Sequence, residues 1–139
     1  MEKRLVAHLD MDAFFASVES RLRGLPPEIP LCVGGTVRGV VSSANYAMRA
    51  FGVKSGMPTS QAVSLCPKGV FVPVRMWLYA RVSGCVLEAL RHYSPDVSRR
   101  SIDEASLEVT GLASAHGGAA AVAALLREAV FRRVGVSCS

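Results

Sequence analysis

Two short acidic groups have the makings of a reactive site. The first lies in "HLDMDAFFASVE" (His8–Glu19), where Asp10 and Asp12 end an apolar run. The second lies in "SIDEASLEV" (Ser101–Val109), where Asp103 and Glu104 separate two apolar stretches. Gathered carboxylates raise one another's pKa unless a cation compensates. Hard oxygen donors without histidine or cysteine suit Mg²⁺ or Mn²⁺. Mg²⁺ keeps waters and shares phosphate oxygens, so a few protein carboxylates suffice. Two such ions can activate a hydroxyl nucleophile and stabilise a leaving oxygen in phosphoryl transfer. For a lone Asp-Glu pair, a solvated turn is the plainer reading. Neighbours on a regular strand point to opposite faces, so Asp103 and Glu104 share a site only at a hairpin tip or bulge.

These acids need elements to hold them. Residues 4–10 read as a buried strand. A helix over 13–23 follows, with Asp12 as its cap and Phe14, Val18 and Leu22 on one face. Phe14 and Phe15 are adjacent and cannot both point inward. "GLPPEIP" (Gly24–Pro30) breaks the helix. "LCVGG" and "GVVSS" read as strands joined by a turn around Thr36–Arg38. "ANYAMRAFG" reads as a short helix stopped by Gly52. A further helix is capped by Thr59 or Ser60 and ends before Pro67. "GVFVPV" is a short strand. A long helix over 76–93 turns Tyr79, Val82, Val86, Leu90 and Tyr93 inward. Strands at 97–102 and 104–109 have almost nothing between them. "GLASAHGG" reads as loop, 119–133 as an amphipathic helix through Val122, Leu125, Leu126 and Ala129, and "VGVSCS" as the start of another strand.

The order predicts an α+β fold. Its main body is a split βαβ layout, a mainly antiparallel sheet with helices on one face, and a small α/β lobe is inserted. With 139 residues, half of them hydrophobic, the chain can build a real core. Its apolar runs are too short to span a bilayer, and its N-terminus is no signal peptide. A cytoplasmic location without membrane attachment is the expectation. The net charge of +5 fits a polyanion partner such as nucleic acid or nucleotide phosphates. Cys32, Cys66, Cys85 and Cys138 lie far apart and read as free thiols. No GxxxxGK[ST] loop is present, so phosphates must be met by basic side chains. His8, His92 and His116 acquire no role.

"DMDAFFASVE", "GVVSSANYAMRAFGVKSGMP" and "SIDEASLEVT" resemble, in order and spacing, three motifs of the Y-family translesion DNA polymerases, nearest the DNA polymerase IV (DinB) branch. The similarity runs from about Leu5 to the last residue. It implies a ferredoxin-like palm at 1–20 and 76–139 and a fingers insertion at 21–75. It implies DNA-directed DNA polymerase activity, in which a primer 3′-hydroxyl attacks the α-phosphate of a dNTP. Asp10, Asp103 and Glu104 would carry two Mg²⁺ ions, with Mn²⁺ as a possible substitute, and the Met11 carbonyl would complete the second. Asp12 is no ligand in the family, which leaves it the capping role. Phe15 matches the steric gate that leaves no room for a 2′-hydroxyl. Tyr46 and Arg49, three apart on a short helix, match triphosphate contacts, with Ser43 beside them. Val41 and Ser42 are placed under the templating base. Arg75, Arg81, Arg99 and Arg100 are candidate DNA-backbone neutralisers, with solvated surface positions the plainer reading.

The sequence departs from the pattern in places. Ser106 stands where the family commonly has tyrosine, and Ser98 where it often has an acid. After "GVS" the family continues with a lysine-bearing segment and then with thumb and little-finger domains. These 139 residues are therefore expected to be a palm-and-fingers fragment with little polymerase activity alone, and to self-associate through exposed apolar surface or an unpaired strand edge. The expected partners are primer–template DNA and dNTP, with a sliding clamp bound through the missing C-terminal region. A non-catalytic Y-family homologue serving as a DNA-repair adaptor is the alternative. Retention of the three acids and Phe15 speaks against it. A nucleotide cyclase is disfavoured by "ANYAMRAFG" and the insertion.

Overall fold

The computed structural model describes residues 3–35 and 38–139. Packing divides the chain into two units, Met1–Asp12 with Ala80–Ser139, and Ala13–Tyr79. The palm and fingers boundaries that the resemblance implies lie near residues 20 and 75. In the structure, the helix after Asp12 and the residues up to Tyr79 group with the inserted lobe.

The first unit is built on an antiparallel sheet in the order β1-β6-β5, formed by β1 (Val6–Asp10), β5 (Val97–Ser101) and β6 (Glu104–Glu108). Alternation on β1 buries Leu9 and leaves His8 and Asp10 exposed. The adjoining helices are the later part of α4 (Met76–Arg91), α5 (Thr110–His116) and α6 (Ala119–Val134). Val86 and Leu90 of α4 and Val122, Leu126 and Val130 of α6 are buried at helical spacing. Leu9 borders hollows that both helices also line. The α+β class therefore stands as expected.

Two local expectations in this unit are corrected. Of residues 111–118, expected as loop, 111–116 fall in α5. Gly111 sits in its first turn and Gly117, at φ 88°, ends it, so neither glycine breaks the helix. Thr110 N–H is held by Glu108 Oε1 at 3.0 Å, Ala113 is buried, and α5 packs on α6. The last residues form a single bridge, Met11 to Cys138, flanked by Asp10–Ser139 backbone bonds, rather than a full strand.

The second unit carries the sheet β3-β2-β4, from β2 (Leu31–Gly34), β3 (Val41–Ala44) and β4 (Val70–Pro73). β2 pairs antiparallel with β3 and parallel with β4. The proposed turn falls at Thr36 and Val37, outside the described residues. The helices are α1 (Phe14–Leu22), α2 (Tyr46–Arg49) and α3 (Thr59–Leu65). Phe14 and Val18 of α1 are buried, but Leu22 is exposed. In that last turn Glu19 and Ser20 stay buried while Arg21 and Leu22 face solvent. Asn45 caps α2, its side chain accepting from Met48 N–H, and Gly52 at φ 88° ends the turn that follows. Thr59 is not a cap. Pro58 holds that position, and Thr59 Oγ1 is buried with no hydrogen-bond partner among the described residues. Cys32, Val41, Ala44, Met48, Val53, Ala62 and Cys66 make this unit's core. All four cysteines are free, and burial pushes the Cys32 and Cys138 thiols up to about 11.

Candidate functional site

In the first unit, strand register gathers the three acids. β1 and β6 align so that Asp10 lies opposite Glu104. Asp103 occupies the tight turn between β5 and β6, and its carbonyl accepts from Met11 N–H at 2.9 Å. The β5–β6 register shifts between Arg99 and Ser101, which supplies the irregularity that two adjacent acids need in order to face one place. One carboxylate oxygen from each of Asp10, Asp103 and Glu104 lies within 4.8 Å of the others. Among the described residues no cation is paired with these three acids. Ser101 Oγ donates to Asp103 at 2.9 Å. Desolvation, then the charges of Asp103 and Asp12, hold the Asp10 carboxyl above its ordinary range. Three oxygen donors at a strand end, mutually repelling and with no cation beside them, fit a hard divalent ion. Met11 is buried beside them.

Asp12 does not cap the helix. Ala13 holds the N-cap position, in left-handed geometry at φ 41°, with no side-chain cap bond. Asp12 instead accepts from Ser137 Oγ at 2.8 Å and Ser139 Oγ at 3.2 Å. Its carboxylate ties the last residues to the end of β1. That pairing spans most of the chain, so local capping rules could not find it.

The second unit holds the other candidates. Phe15 is half-buried, and its ring stacks on Tyr79 with centroids 4.3 Å apart and planes 13° from parallel. Phe14 goes to the core, as adjacency required. Ser43 is buried and its Oγ accepts from Ala16 N–H at 3.1 Å, so the hydroxyl keeps its proton to donate. Tyr46 and Arg49 share a face, with the guanidinium carbon 5.1 Å from the ring centroid. Arg49 Nε bonds the Ala44 carbonyl at 2.9 Å, which fixes the base of the guanidinium. Val41 is buried in the core, whereas Ser42 is exposed.

Sequence reasoning passed over Glu19. It is fully buried, and Arg75 reaches it through Nε at 3.0 Å and through a short Nη2 contact. Tyr79 Oη donates to it at 2.7 Å and Arg23 Nε at 3.2 Å. Burial pushes its pKa up, but the bonds from Arg75, Tyr79 and Arg23 outweigh this and leave it below the ordinary carboxylate range. Burial, then the Glu19 bond, drives the Tyr79 hydroxyl up to about 12. The available signal was spacing. Phe15, Glu19 and Arg23 fall on one helical face, and Arg75 and Tyr79 are one turn apart. Arg75 is thus committed to Glu19, while Arg81 and Arg99 are exposed. Arg100 donates to buried Ser106 at 3.0 Å, and Ser106 lies opposite Ser98 in the β5–β6 register. The two departures from the Y-family pattern are cross-strand partners.

The model of the impB/mucB/samB family matches residues 9–139. The chain belongs to this family. DNA polymerase IV of Gluconobacter oxydans (strain 621H) is 42% identical over 144 residues, covering 100% of this chain and 39% of that protein. DNA polymerase IV of Escherichia coli O1:K1 / APEC is 39% identical over 138 residues, covering 98% and 39%. Among solved structures, DinB from Sulfolobus solfataricus superposes with a TM-score of 0.87 at 30% identity, covering 96% of this chain and 40% of that one. An insertion ternary complex of Dbh DNA polymerase gives 0.88 at 30%, covering 96% and 41%. The resemblance to Y-family polymerases of the DNA polymerase IV branch is borne out. The chain spans about two fifths of the length of the curated relatives it matches. No helix among the family member's described residues is long and apolar enough to cross a membrane.

Proposed function

We propose that this chain is the catalytic part of a DNA-directed DNA polymerase of the translesion type. The unit Met1–Asp12 with Ala80–Ser139 is read as the palm, and Ala13–Tyr79 as the fingers together with the gate helix. The reaction is attack of a primer 3′-hydroxyl on the α-phosphate of a dNTP, with pyrophosphate leaving. The observation that carries this reading is the convergence of Asp10, Asp103 and Glu104 to within 4.8 Å without a paired cation, in a chain of this family.

Asp10, Asp103 and Glu104, with the Met11 carbonyl, would hold two Mg²⁺ ions, or Mn²⁺ in their place. Bound there, the ions supply charge neutralisation and Lewis-acid stabilisation of phosphoryl oxygens. The other residues bind and select. Arg49 and the Tyr46 phenol, on one face of α2, hold phosphate oxygens, and Ser43 donates a further hydrogen bond. The flat Phe15 ring fills the space a 2′-hydroxyl would take. Ser42, small and exposed, lies under the templating base. Primer–template DNA and dNTP are the partners, and a sliding clamp is a further one, reached through segments outside these residues.

The test is Mg²⁺-dependent dNTP insertion on primed DNA by the protein that carries these residues, against its Asp103→Asn/Glu104→Gln version. Loss of insertion in the double variant supports the reading. Equal activities overturn it and return the adaptor alternative. Mn²⁺ binding to the 139-residue chain, read by paramagnetic broadening of its NMR signals, checks the acids alone. Broadening centred on residues 10–12 and 101–105 is the expected result.

A further inference from the structure

A carboxylate that no water reaches is costly, and a chain retains one only where several donors hold it. Glu19 is such a group, with every donor on it identified: Arg75 twice, Arg23 once and the Tyr79 hydroxyl once. Arg75 and Arg23 are each about one third exposed, so their charges stay partly solvated while the acceptor is dry. The bond to Tyr79 is of a different kind. It fixes the far end of an aromatic ring whose face lies flat against Phe15. Phe15 and Glu19 are one turn apart on α1, and Tyr79 meets both, its hydroxyl on one and its ring on the other. Tyr79 is itself fully buried, so packing already encloses its ring, and the hydroxyl bond adds a fixed polar anchor at the end away from the backbone.

We infer that Glu19, held by Arg75 and Arg23, is a positioning residue that sets the place of the Phe15 ring through Tyr79, and so sets how strictly the nucleotide's sugar is selected. This rests on the reading of Phe15 as the sugar gate. Glu19 touches neither substrate nor metal in this account. It acts by removing the freedom of the surface against which the gate leans. A gate works by excluding one oxygen atom, so a sub-ångström shift of the ring matters more to a ribonucleotide than to a deoxyribonucleotide. The clamp therefore acts on selectivity more than on rate.

Three variants test this in the protein that carries these residues: Phe15→Ala, Tyr79→Phe and Glu19→Gln. Tyr79→Phe keeps the stacked ring and the core volume and loses only the hydroxyl bond. The measurement is the ratio of kcat/KM for a dNTP to that for the matching rNTP. Phe15→Ala should abolish most of the selectivity. Tyr79→Phe and Glu19→Gln should lower it by about tenfold, chiefly by raising ribonucleotide insertion; misplacement by an ångström costs up to about a hundredfold. A purely structural role would depress both substrates together and leave the ratio unchanged, which overturns the inference. An unchanged ratio in Phe15→Ala overturns the gate reading itself, a separate result. The second measurement needs no turnover. In the 139-residue chain the Phe15 ring resonances should move in Tyr79→Phe and Glu19→Gln while the rest of the spectrum keeps its dispersion. Unmoved Phe15 signals overturn the inference whatever the kinetics show.

Discussion

The chain handles carboxylates in two opposite ways. In the first unit three of them sit together at a strand end, with Asp10 held above its ordinary pKa range by desolvation and by like charge. In the second, one carboxylate is sealed from water, yet three side chains hold it below that range. Glu19 has every donor it needs within the fold. Among the described residues Asp10, Asp103 and Glu104 have no paired cation, Asp103 accepting only a neutral hydroxyl from Ser101, and a bound divalent ion would supply the missing positive charge. The difference separates scaffold from site. A charge whose partners are internal stabilises the fold, whereas charges left without a partner mark where a ligand belongs.

The contrast can be broken most sharply at its ends. Asp103→Asn/Glu104→Gln should cost several kcal/mol of transition-state stabilisation, about a thousandfold or more in dNTP insertion. In denaturant melts without metal the same double variant should be neutral or slightly stabilising, since it removes repulsion. If it unfolds the chain, these acids are scaffold after all. Glu19→Ala should do the reverse, lowering unfolding stability by about 3 kcal/mol, because it leaves two guanidinium groups and a phenol without their acceptor. An unchanged urea midpoint would place Glu19 outside the scaffold.

A pH series sharpens the same point. Glu19 has a folded pKa below its unfolded value of 4.5. Its contribution to stability is therefore complete above about 4.5 and is lost as pH falls through the depressed folded value. Urea melts from pH 6 down to pH 3 should show this loss, and Glu19→Gln should flatten it. The smallest effect separates a residue pair on β3. Val41→Ala should destabilise by about 1–3 kcal/mol through a lost core contact, and Ser42→Ala by less than about 0.5 kcal/mol. Ser42→Ala should be felt only in nucleotide insertion, and a large fall in thermal stability would remove Ser42 from the template-contact reading.

Much of the fold was legible because its signals are local. The buried positions 14 and 18, 79, 86 and 90, and 122 and 126 follow helical spacing, and Gly52 closes the turn after α2. The Asn45 cap and buried Val130 were not foreseen, and Leu125 and Ala129 are only half-buried. The misreadings have several causes. Leu22 has the right period but no neighbour to bury it. Asp12 and Thr59 have the right type for caps, but Asp12 is drawn to Ser137 and Ser139, and Pro58 takes the other cap position. Gly111 suggested loop, but packing of α5 on α6 outweighs a glycine's modest helical cost. For Asp12 a contact distant in sequence outcompeted a local preference, α5 was held by its neighbouring helix, Leu22 found no burying neighbour, and Thr59 yielded to the adjacent Pro58.

By itself the sequence determined the kinds of chemistry on offer: hard oxygen donors, a flat ring beside a core phenylalanine, a phenol and an arginine on one short helix. It also determined which faces of the helices would be buried, since periodicity is a local property. Only the tertiary structure decided which groups meet. Asp10 reaches Glu104 because of strand register, and a one-residue slip would turn it to the other face. Glu19 is buried safely because Arg75, 56 residues away, is delivered to it at the entry to α4. Whether a carboxylate is scaffold or site depends on the donors that arrive beside it, and those come from elements the local sequence cannot see.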